Sequence, residues 1–368
     1  MESMERLKHR EVWQDFYRGR RVLVTGHTGF KGIWLVKMLS YLGAKVAGYA
    51  LAPPTAEGAR LYQALGIPSL LARDVRGDVR DMESLARAFE TFQPEIVLHL
   101  AAQPIVRESY RDPVGTYATN VMGTVHLLEC ARRTESVRSL LNVTTDKVYE
   151  NKEWCWGYRE NEPLDGYDPY SNSKSCSELV THSYAKSFFT DGRCAISTAR
   201  AGNVIGGGDF SPDRIVPDCI RAAVAKRVIE VRNPYSTRPY QHVLEPLAAY
   251  LMIAAGQRQQ PELAGCYNVG PEESDCVTTG ELATLFCRAW GDGATWQTHT
   301  KDEHAPHEAN FLKLDCSKLK ATFHWHPRWH IAQAIQATID WAKAWESGGE
   351  TKRVMDRQIQ GFLGEHDG

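Results

Sequence analysis

Short apolar or β-branched runs at residues 21–25, 45–50, 95–100, 138–145 and 194–200 alternate with helix-length stretches whose apolar positions recur every three to four residues. Such helical stretches lie at 33–42, 82–92 and 114–133. Strands alternating with helices predict parallel βαβ units, so the fold class is α/β, a doubly wound parallel sheet. From about residue 213 the texture changes to separated arginines among prolines and aromatics, which predicts a smaller C-terminal α+β substrate domain. The expected boundaries are a leading segment at 1–20, a dinucleotide-binding domain at 21–205, and a second unit at 206–368, part of which returns to the first core. Residues 319–345 read as one terminal helix that closes the small domain.

The leading segment is charged and carries Trp13, Phe16 and Tyr17, so it lacks the apolar core of a signal peptide and is expected to pack as a short helix. The longest apolar stretch, 243–255, is interrupted by Glu245 and Pro246 and is too short to span a bilayer. Its 43 basic residues against 45 acidic ones, with a pI of about 6.7, leave no global field to recruit nucleic acid or an anionic membrane. Nine cysteines, odd in number and never spaced Cys-x-x-Cys, argue against a disulfide framework or zinc ribbon and fit reduced thiols in a cytoplasmic protein.

The chemistry concentrates at a few points. Arg21-Val-Leu-Val-Thr25 runs into Gly26-His27-Thr28-Gly29-Phe30-Lys31-Gly32 and then a helix, a strand–turn–helix whose glycines let backbone approach a pyrophosphate at a helix N-terminus. The second strand ends in Ala50-Leu51-Ala52, with neither an acid for a ribose hydroxyl nor an adjacent arginine for a 2′-phosphate. The phosphate state of the dinucleotide therefore does not follow from this turn. Asp78, beside Val79, suits the adenine amino group or a helix cap equally well. Leu100, Ala101, Ala102 and Gln103 follow the next strand and would let backbone pass close to a cofactor sugar. Asn120, in the middle of a helix, needs partners and suits bracing of nearby backbone or a water.

Thr145, Asp146 and Lys147 leave the fifth strand at the sheet's C-terminal edge, where doubly wound folds bind ligands. Tyr170 and Lys174 lie four residues apart, on one face of a helix, where the ammonium would lower the phenol's pKa and make a base. Asn203 opens a glycine-rich loop suited to substrate. Arg214, Arg232 and Arg238, with Gln241 nearby, suit a diphosphate and a nucleobase. His304 and His307 lack a carboxylate or cysteine partner set, so no metal is expected and His307 is placed among the substrate contacts.

Gly26-x-x-Gly29-x-x-Gly32, Leu98-His-Leu-Ala-Ala102, Tyr170-x-x-x-Lys174 and Asn203 together resemble the extended short-chain dehydrogenase/reductases that act on nucleotide sugars. The resemblance covers nearly the whole chain. Val24-Thr-Gly-His-Thr-Gly-Phe-Lys-Gly32, Gly48-Tyr-Ala-Leu-Ala-Pro-Pro54, Asp146-Lys147-Val-Tyr-Glu150-Asn151, Trp156-Gly-Tyr-Arg-Glu160, Asn203-Val-Ile-Gly-Gly-Gly-Asp209 and Thr237-Arg-Pro-Tyr-Gln-His-Val243 are similar to its cytidylyl-sugar dehydratase branch. Other dehydratases of the family carry Thr-Asp-Glu where this chain has Thr145-Asp146-Lys147.

The resemblance implies a Rossmann-type domain, an NAD recycled within each turnover, CDP-glucose as substrate, a homodimer or dimer of dimers, and a place in deoxysugar synthesis for bacterial surface polysaccharide. It also implies roles. Tyr170, with Lys174 and Thr145, would take the sugar's 4-hydroxyl proton as hydride leaves C4, Lys147 would take the C5 proton, and Asp146 would protonate the departing 6-hydroxyl. The C5 role requires a depressed Lys147 pKa, through burial against Trp154, Trp156 or Tyr149 or through neighbouring cations. An epimerase of the family would share Tyr170 and Lys174 but have no use for Asp146-Lys147, and a non-catalytic cofactor sensor would have no use for any of them.

Overall fold

Alternation of strand and helix resolves, in the computed structural model, into one seven-stranded parallel sheet; residues 15–298 and 311–364 are described. Its strands are β1 (Arg21–Thr25), β2 (Lys45–Ala50), β3 (Arg73–Arg76), β4 (Ile96–His99), β5 (Ser139–Val143), β6 (Ala195–Ala201) and β7 (Cys266–Val269). They run in the order β7-β6-β5-β4-β1-β2-β3, each parallel to its neighbours. Both faces of the sheet are covered except at the edge strand β3, whose Arg73, Asp74 and Arg76 are exposed, which is why the inner strands β1, β4 and β5 are mostly apolar runs. Val22 and Val24 of β1 point into one core, with Trp34 and Leu35 of the helix Phe30–Tyr41, while Leu23 points into the other, with Phe89 and Leu127.

Strand order reverses between β1 and β4, and the chain ends there are locked together. Thr25 Oγ1 lies 2.7 Å from His99 Nδ1 and accepts from the Leu100 and Ala101 amides at 3.2 Å each. Gly26 follows with φ of +75°, and a Cβ on it would come within 2.8 Å of the Ala101 nitrogen. A Cβ on Gly32 would meet the Gly26 carbonyl at 2.2 Å. These two glycines are thus fixed by close approach of turn, helix and strand.

The expected helix over 114–133 has three parts, α-helical over Pro113–Tyr117 and Gly123–Arg133 with a π turn, Ala118–Met122, between them. The single terminal helix expected over 319–345 is likewise divided. Ser317–Phe323 ends at His324, whose φ of +52° is left-handed, and the chain restarts past Pro327 as Ile331–Glu346, followed by Thr351–Leu363. Of the leading segment, residues 15–17 form a helical end with Phe16 and Tyr17 buried, and Trp13 lies outside the described residues.

Past residue 205 the chain builds short two-stranded ladders, among them Ile229–Val231 with Trp296–Thr298 and Thr237–Pro239 with Cys276–Thr278. It then returns to the first core. The helix Leu244–Gln259 packs on β5 and β6, bonded through Ser139 to the Ala254 carbonyl at 2.9 Å and through Gln257 to Ser139 at 2.8 Å, and leads into β7. Among the described residues no helix is long and apolar enough to cross a membrane.

Glu245, in that helix's first turn, is fully buried and accepts from the Arg328 and Trp329 amides at 2.8 and 2.7 Å. Burial pushes its carboxyl up to about 7, above its unfolded value. A raised carboxyl pKa means that the folded state holds a proton the unfolded state has released, so this contribution is full below the unfolded pKa and lost as pH rises through about 7. Glu245→Gln keeps an acceptor for the two amides without a charge to bury. Its Tm relative to the unsubstituted protein should therefore rise between about pH 5 and about pH 8 in a calorimetric series; a difference that stays flat or falls would overturn the assignment.

Candidate active site

β5 delivers its C-terminal end to the edge of the sheet, and Thr144 and Thr145 carry the chain out into the turn Asp146–Val148. Opposite it, Asp168 caps the helix Pro169–Phe188 by accepting from the Ser171 amide at 3.0 Å, with Pro169 at the first helical position. Tyr170 and Lys174 share the inner face of that helix, both buried. Lys174 Nζ donates to the Val143 carbonyl at 3.1 Å, so the helix is tied to the end of β5.

The pair does not carry the charges expected from its spacing. Burial pushes the Tyr170 phenol up to about 12, against opposing pulls from a hydrogen bond with Thr145 and from Arg214. The same burial draws Lys174 down to about 8, against the opposing charge of Glu178. Desolvation outweighs the neighbouring cation because the ammonium is directed at a carbonyl of β5. The direction of both shifts is thus set by burial and not by the charge of the partner.

Asp146 is 1% exposed; its Oδ1 accepts from Thr145 Oγ1 at 3.1 Å and its Oδ2 has no hydrogen-bond partner among the described residues. Lys147 Nζ stands 3.7 Å from Oδ1 and its side chain is 32% exposed. A pair this open stabilises by about 1 kcal/mol or less, so the ammonium is free to serve something other than the fold. The aromatics expected to bury Lys147 stack elsewhere. Tyr149 and Trp154 both pack on Tyr158, at 5.2 Å between centroids, and Trp156 packs on Trp154.

These groups line one cavity of 2640 Å³, well beyond the roughly 300–1,000 Å³ of a single small-ligand pocket and large enough for two nucleotide-sized molecules. One arm is walled by the glycine turn, Ala50, Leu51, Asp78, Val79 and the backbone of Leu100 to Ala102. The other is walled by Asn203, Arg214, Arg232 and Arg238. Arg214 pairs with Asp209 at 3.1 Å and Arg232 with Asp213 at 2.8 Å, while buried Arg238 donates to the Thr237 carbonyl at 2.9 Å. Lys31, partly buried on the glycine turn, is drawn down to about 7 by burial, then by Arg214 and Lys174.

Three residues expected to touch ligands turn into the protein instead, and Asn120, placed with the cofactor contacts or as a brace, makes the backbone brace. His27 is packed against Gly48 and lies 2.8 Å from Asp74. Gln103 donates to Thr116 at 2.9 Å and accepts from the Ile105 amide at 2.6 Å. Asn120 accepts from the Gln103 amide and donates to the Gln103 carbonyl and to Ser173, at 2.9 to 3.1 Å. Gln241 donates to the Val269 carbonyl at 2.9 Å at the edge of β7. Burial with unmet polar atoms on neighbouring backbone decides these orientations, and none of the four lines the cavity. His307 lies outside the described residues, as does His304. Asp78 is bound by Arg80, which holds its carboxyl below the usual range, and Asp81 caps the helix Met82–Phe92.

Glu178 was not singled out by the sequence, although it stands four residues beyond Lys174 and eight beyond Tyr170, on the same helical face. It is 3% exposed and forms an ion pair with Arg200 of β6 at 3.0 Å. Arg107, 3.6 Å from Asp213 at the cavity wall, was equally silent, since an isolated arginine in a short helix carries no pattern.

A doubly wound sheet with a buried Tyr–Lys pair beside its point of strand reversal is the architecture of the extended short-chain dehydrogenase/reductases. A family model described as GDP-mannose 4,6 dehydratase matches residues 23–338, and the chain belongs to that family. It is 45% identical over 358 residues, 95% of this chain and 98% of the other, to the CDP-glucose 4,6-dehydratase of Salmonella typhimurium. A dTDP-glucose 4,6-dehydratase of Streptomyces antibioticus is 30% identical over 87% of this chain and 91% of its own length. Among solved structures, Thermus thermophilus UDP-glucose 4-epimerase in complex with NAD superposes with a TM-score of 0.75 at 28% identity, covering 88% of this chain and 99% of that one. The dTDP-glucose 4,6-dehydratase of Bacillus anthracis, at 21% identity over 91% of this chain and 100% of that one, has a TM-score of 0.74 and shares the fold.

Asn120 satisfies both the amide and the carbonyl of Gln103, next to the backbone that walls the cavity. Asn120→Ala leaves both groups buried without partners, at about 1–3 kcal/mol each. The urea midpoint should fall correspondingly with the m-value unchanged, and a midpoint equal to the unsubstituted protein's would show that the brace is dispensable.

Proposed function

We propose that this chain is an NAD-dependent lyase that converts CDP-glucose to CDP-4-dehydro-6-deoxyglucose and water. The observation that carries this reading is the buried Asp146 at the cavity wall, whose Oδ2 meets no donor among the described residues, directly followed by the half-open Lys147 ammonium. An epimerase has no use for that acid–base pair beyond Thr145, whereas an elimination of water needs both. The 45% identity over nearly the whole length of a CDP-glucose 4,6-dehydratase supports the cytidylyl sugar as substrate.

The glycine arm fits a dinucleotide. Gly26 and Gly32 let turn, helix and strand close up on one another, and Thr28, Gly29, Leu51, Asp78, Val79 and Ala101 line the arm they frame. NAD supplies a hydride acceptor and donor that leaves the cycle unchanged. The chain's own residues move the protons. Tyr170, oriented by Thr145, takes the proton of the 4-hydroxyl. The resulting 4-ketone acidifies C5–H; with the proton of the Asp146–Lys147 pair held on the carboxyl, the Lys147 amine takes the C5 proton as Asp146 gives its own to the 6-hydroxyl leaving as water, which returns the ion pair. Arg214, Arg232 and Arg238, at the opposite arm, hold the diphosphate.

The partner we propose besides substrate is a second copy of this chain, as a homodimer or dimer of dimers. Val114, Met122 and Leu179 stand exposed on the packed helices 113–133 and 169–188, a face suited to a like face. Nine free cysteines support a reducing, cytoplasmic setting.

CDP-glucose deuterated at C4 should give a 4-keto product that carries the label at C6 with no cofactor consumed. Failure to turn over CDP-glucose, with activity on dTDP- or GDP-glucose instead, would reassign the substrate, and loss of the label to water would end the internal-transfer reading.

Removing a general base costs about 10²- to 10⁴-fold, so Tyr170→Phe should lose that much kcat while KM stays within a few-fold. Lys147→Met should do the same if it takes the C5 proton. A rise confined to KM would make Lys147 a binding cation instead, because uniform binding leaves kcat untouched.

A further inference from the structure

Besides Asp168, which caps the helix of Tyr170, three carboxylates lie buried near the reacting region, and the proposed mechanism uses only Asp146. A second, Asp209, is paired with Arg214. Glu178 is the third, and its contacts join the helix of Tyr170 and Lys174 to the end of β5 and to β6. Its Oε1 accepts from Thr144, the residue before Thr145. Its Oε2 accepts from Thr198 at 2.6 Å and from Arg200 at 3.0 Å. Arg200 in turn donates to the Tyr149 hydroxyl at 2.9 Å and to the Glu160 carbonyl at 3.0 Å. The catalytic turn is therefore fastened just before Thr145 by Glu178 and just after Val148 by Arg200, while Lys174 holds the Val143 carbonyl.

We infer that Glu178 is a positioning residue, which sets the turn bearing Thr145 and Asp146 against the helix bearing Tyr170 and Lys174, one turn beyond the Lys174 ammonium. The helix places Tyr170, Lys174 and Glu178 at successive four-residue steps on one face, so the carboxylate sits one turn beyond the ammonium. The other titratable groups around Lys174 are Lys31 on the glycine turn, His99 at the end of β4, Tyr170 one helical turn before it, and Asp146 and Tyr149 on the segment after β5, with Arg200 on β6. Burial drives Lys174 toward neutrality, and the Glu178 charge opposes it. A buried ion pair is a poor device for stability alone, because desolvation consumes most of its Coulomb gain. Its value here is that both partners grip the catalytic turn.

The kinetic consequence rests on the dehydratase reading, but the protonation consequence does not. Glu178→Gln keeps the shape and an acceptor for Thr144 and removes the charge. The Lys174 titration, followed by ¹³Cε-lysine resonances and assigned by the signal lost in Lys174→Arg, should move down by about one pH unit, a tenfold shift in the protonation equilibrium. The alkaline limb of kcat/KM should move to lower pH with it, and Glu178→Asp should restore both in part. Should the lone Arg200 charge prevent Glu178→Gln from folding, Glu178→Gln with Arg200→Leu removes both charges, and a smaller lowering of the midpoint is expected, because the more distant opposing charge goes with the anion. An unmoved Lys174 midpoint in whichever variant folds overturns the inference, as does a rate loss of equal size at every pH, the mark of a merely structural residue. A protein that shows the lowered midpoint yet never turns over CDP-glucose leaves the inference standing and sinks the proposed reaction alone.

Discussion

Everything that binds in this protein depends on the place where β1 and β4 run side by side and their following chains part. A parallel sheet whose order reverses leaves a crevice at the carboxyl ends of those two strands, and Thr25, by accepting the Leu100 and Ala101 amides, fixes how wide it opens. Gly26 then has to pass Ala101 at a distance that no side chain would permit. That contact sets the position of the helix Phe30–Tyr41, and with it the direction in which the helix N-terminus faces the cavity. The constraint is steric and local, and the rest of the site is hung on it.

Around this crevice the charges are arranged by burial more than by attraction. Lys31, Lys174 and Tyr170 are each shifted toward their neutral forms, because water is scarce where they stand. Burial thus works against charge on each of these three groups. On the substrate side the pattern is the opposite. Arg214 and Arg232 each stand against a carboxylate, Asp209 and Asp213.

Much of this was legible in the sequence for physical reasons. Strands buried on both faces leave continuous apolar runs, so β1, β2 and β4 could be placed almost to the residue, and the glycine turn announced itself by its spacing. What stayed hidden were features set by tertiary packing. The π turn that aims Asn120 at Gln103 has no periodicity distinct from the α-helix around it. His27 sits inside a ligand-binding motif yet faces Gly48, because the side chain of a turn residue points wherever the neighbouring strand leaves room. The pKa of Tyr170 could not be read from its spacing to Lys174, since spacing gives proximity and says nothing about desolvation. Glu178 is the instructive case: its position on the helical face was plain, but its partners Thr144, Thr198 and Arg200 lie 20 to 34 residues away in sequence.

The return of the chain to its first core has a consequence for how the molecule is made. β7 comes from residues 266–269, yet it covers the open edge of β6, which ends at residue 201. During synthesis some sixty residues must emerge before that edge is paired, and until then β6 presents a row of unmet amides and carbonyls along an apolar strand. The helix Leu244–Gln259, which seals β5 and β6 from one face, arrives only shortly before. The nucleotide-binding half is thus the first to be translated and among the last to be completed, and the nascent chain is most prone to self-association while the second half is still being added.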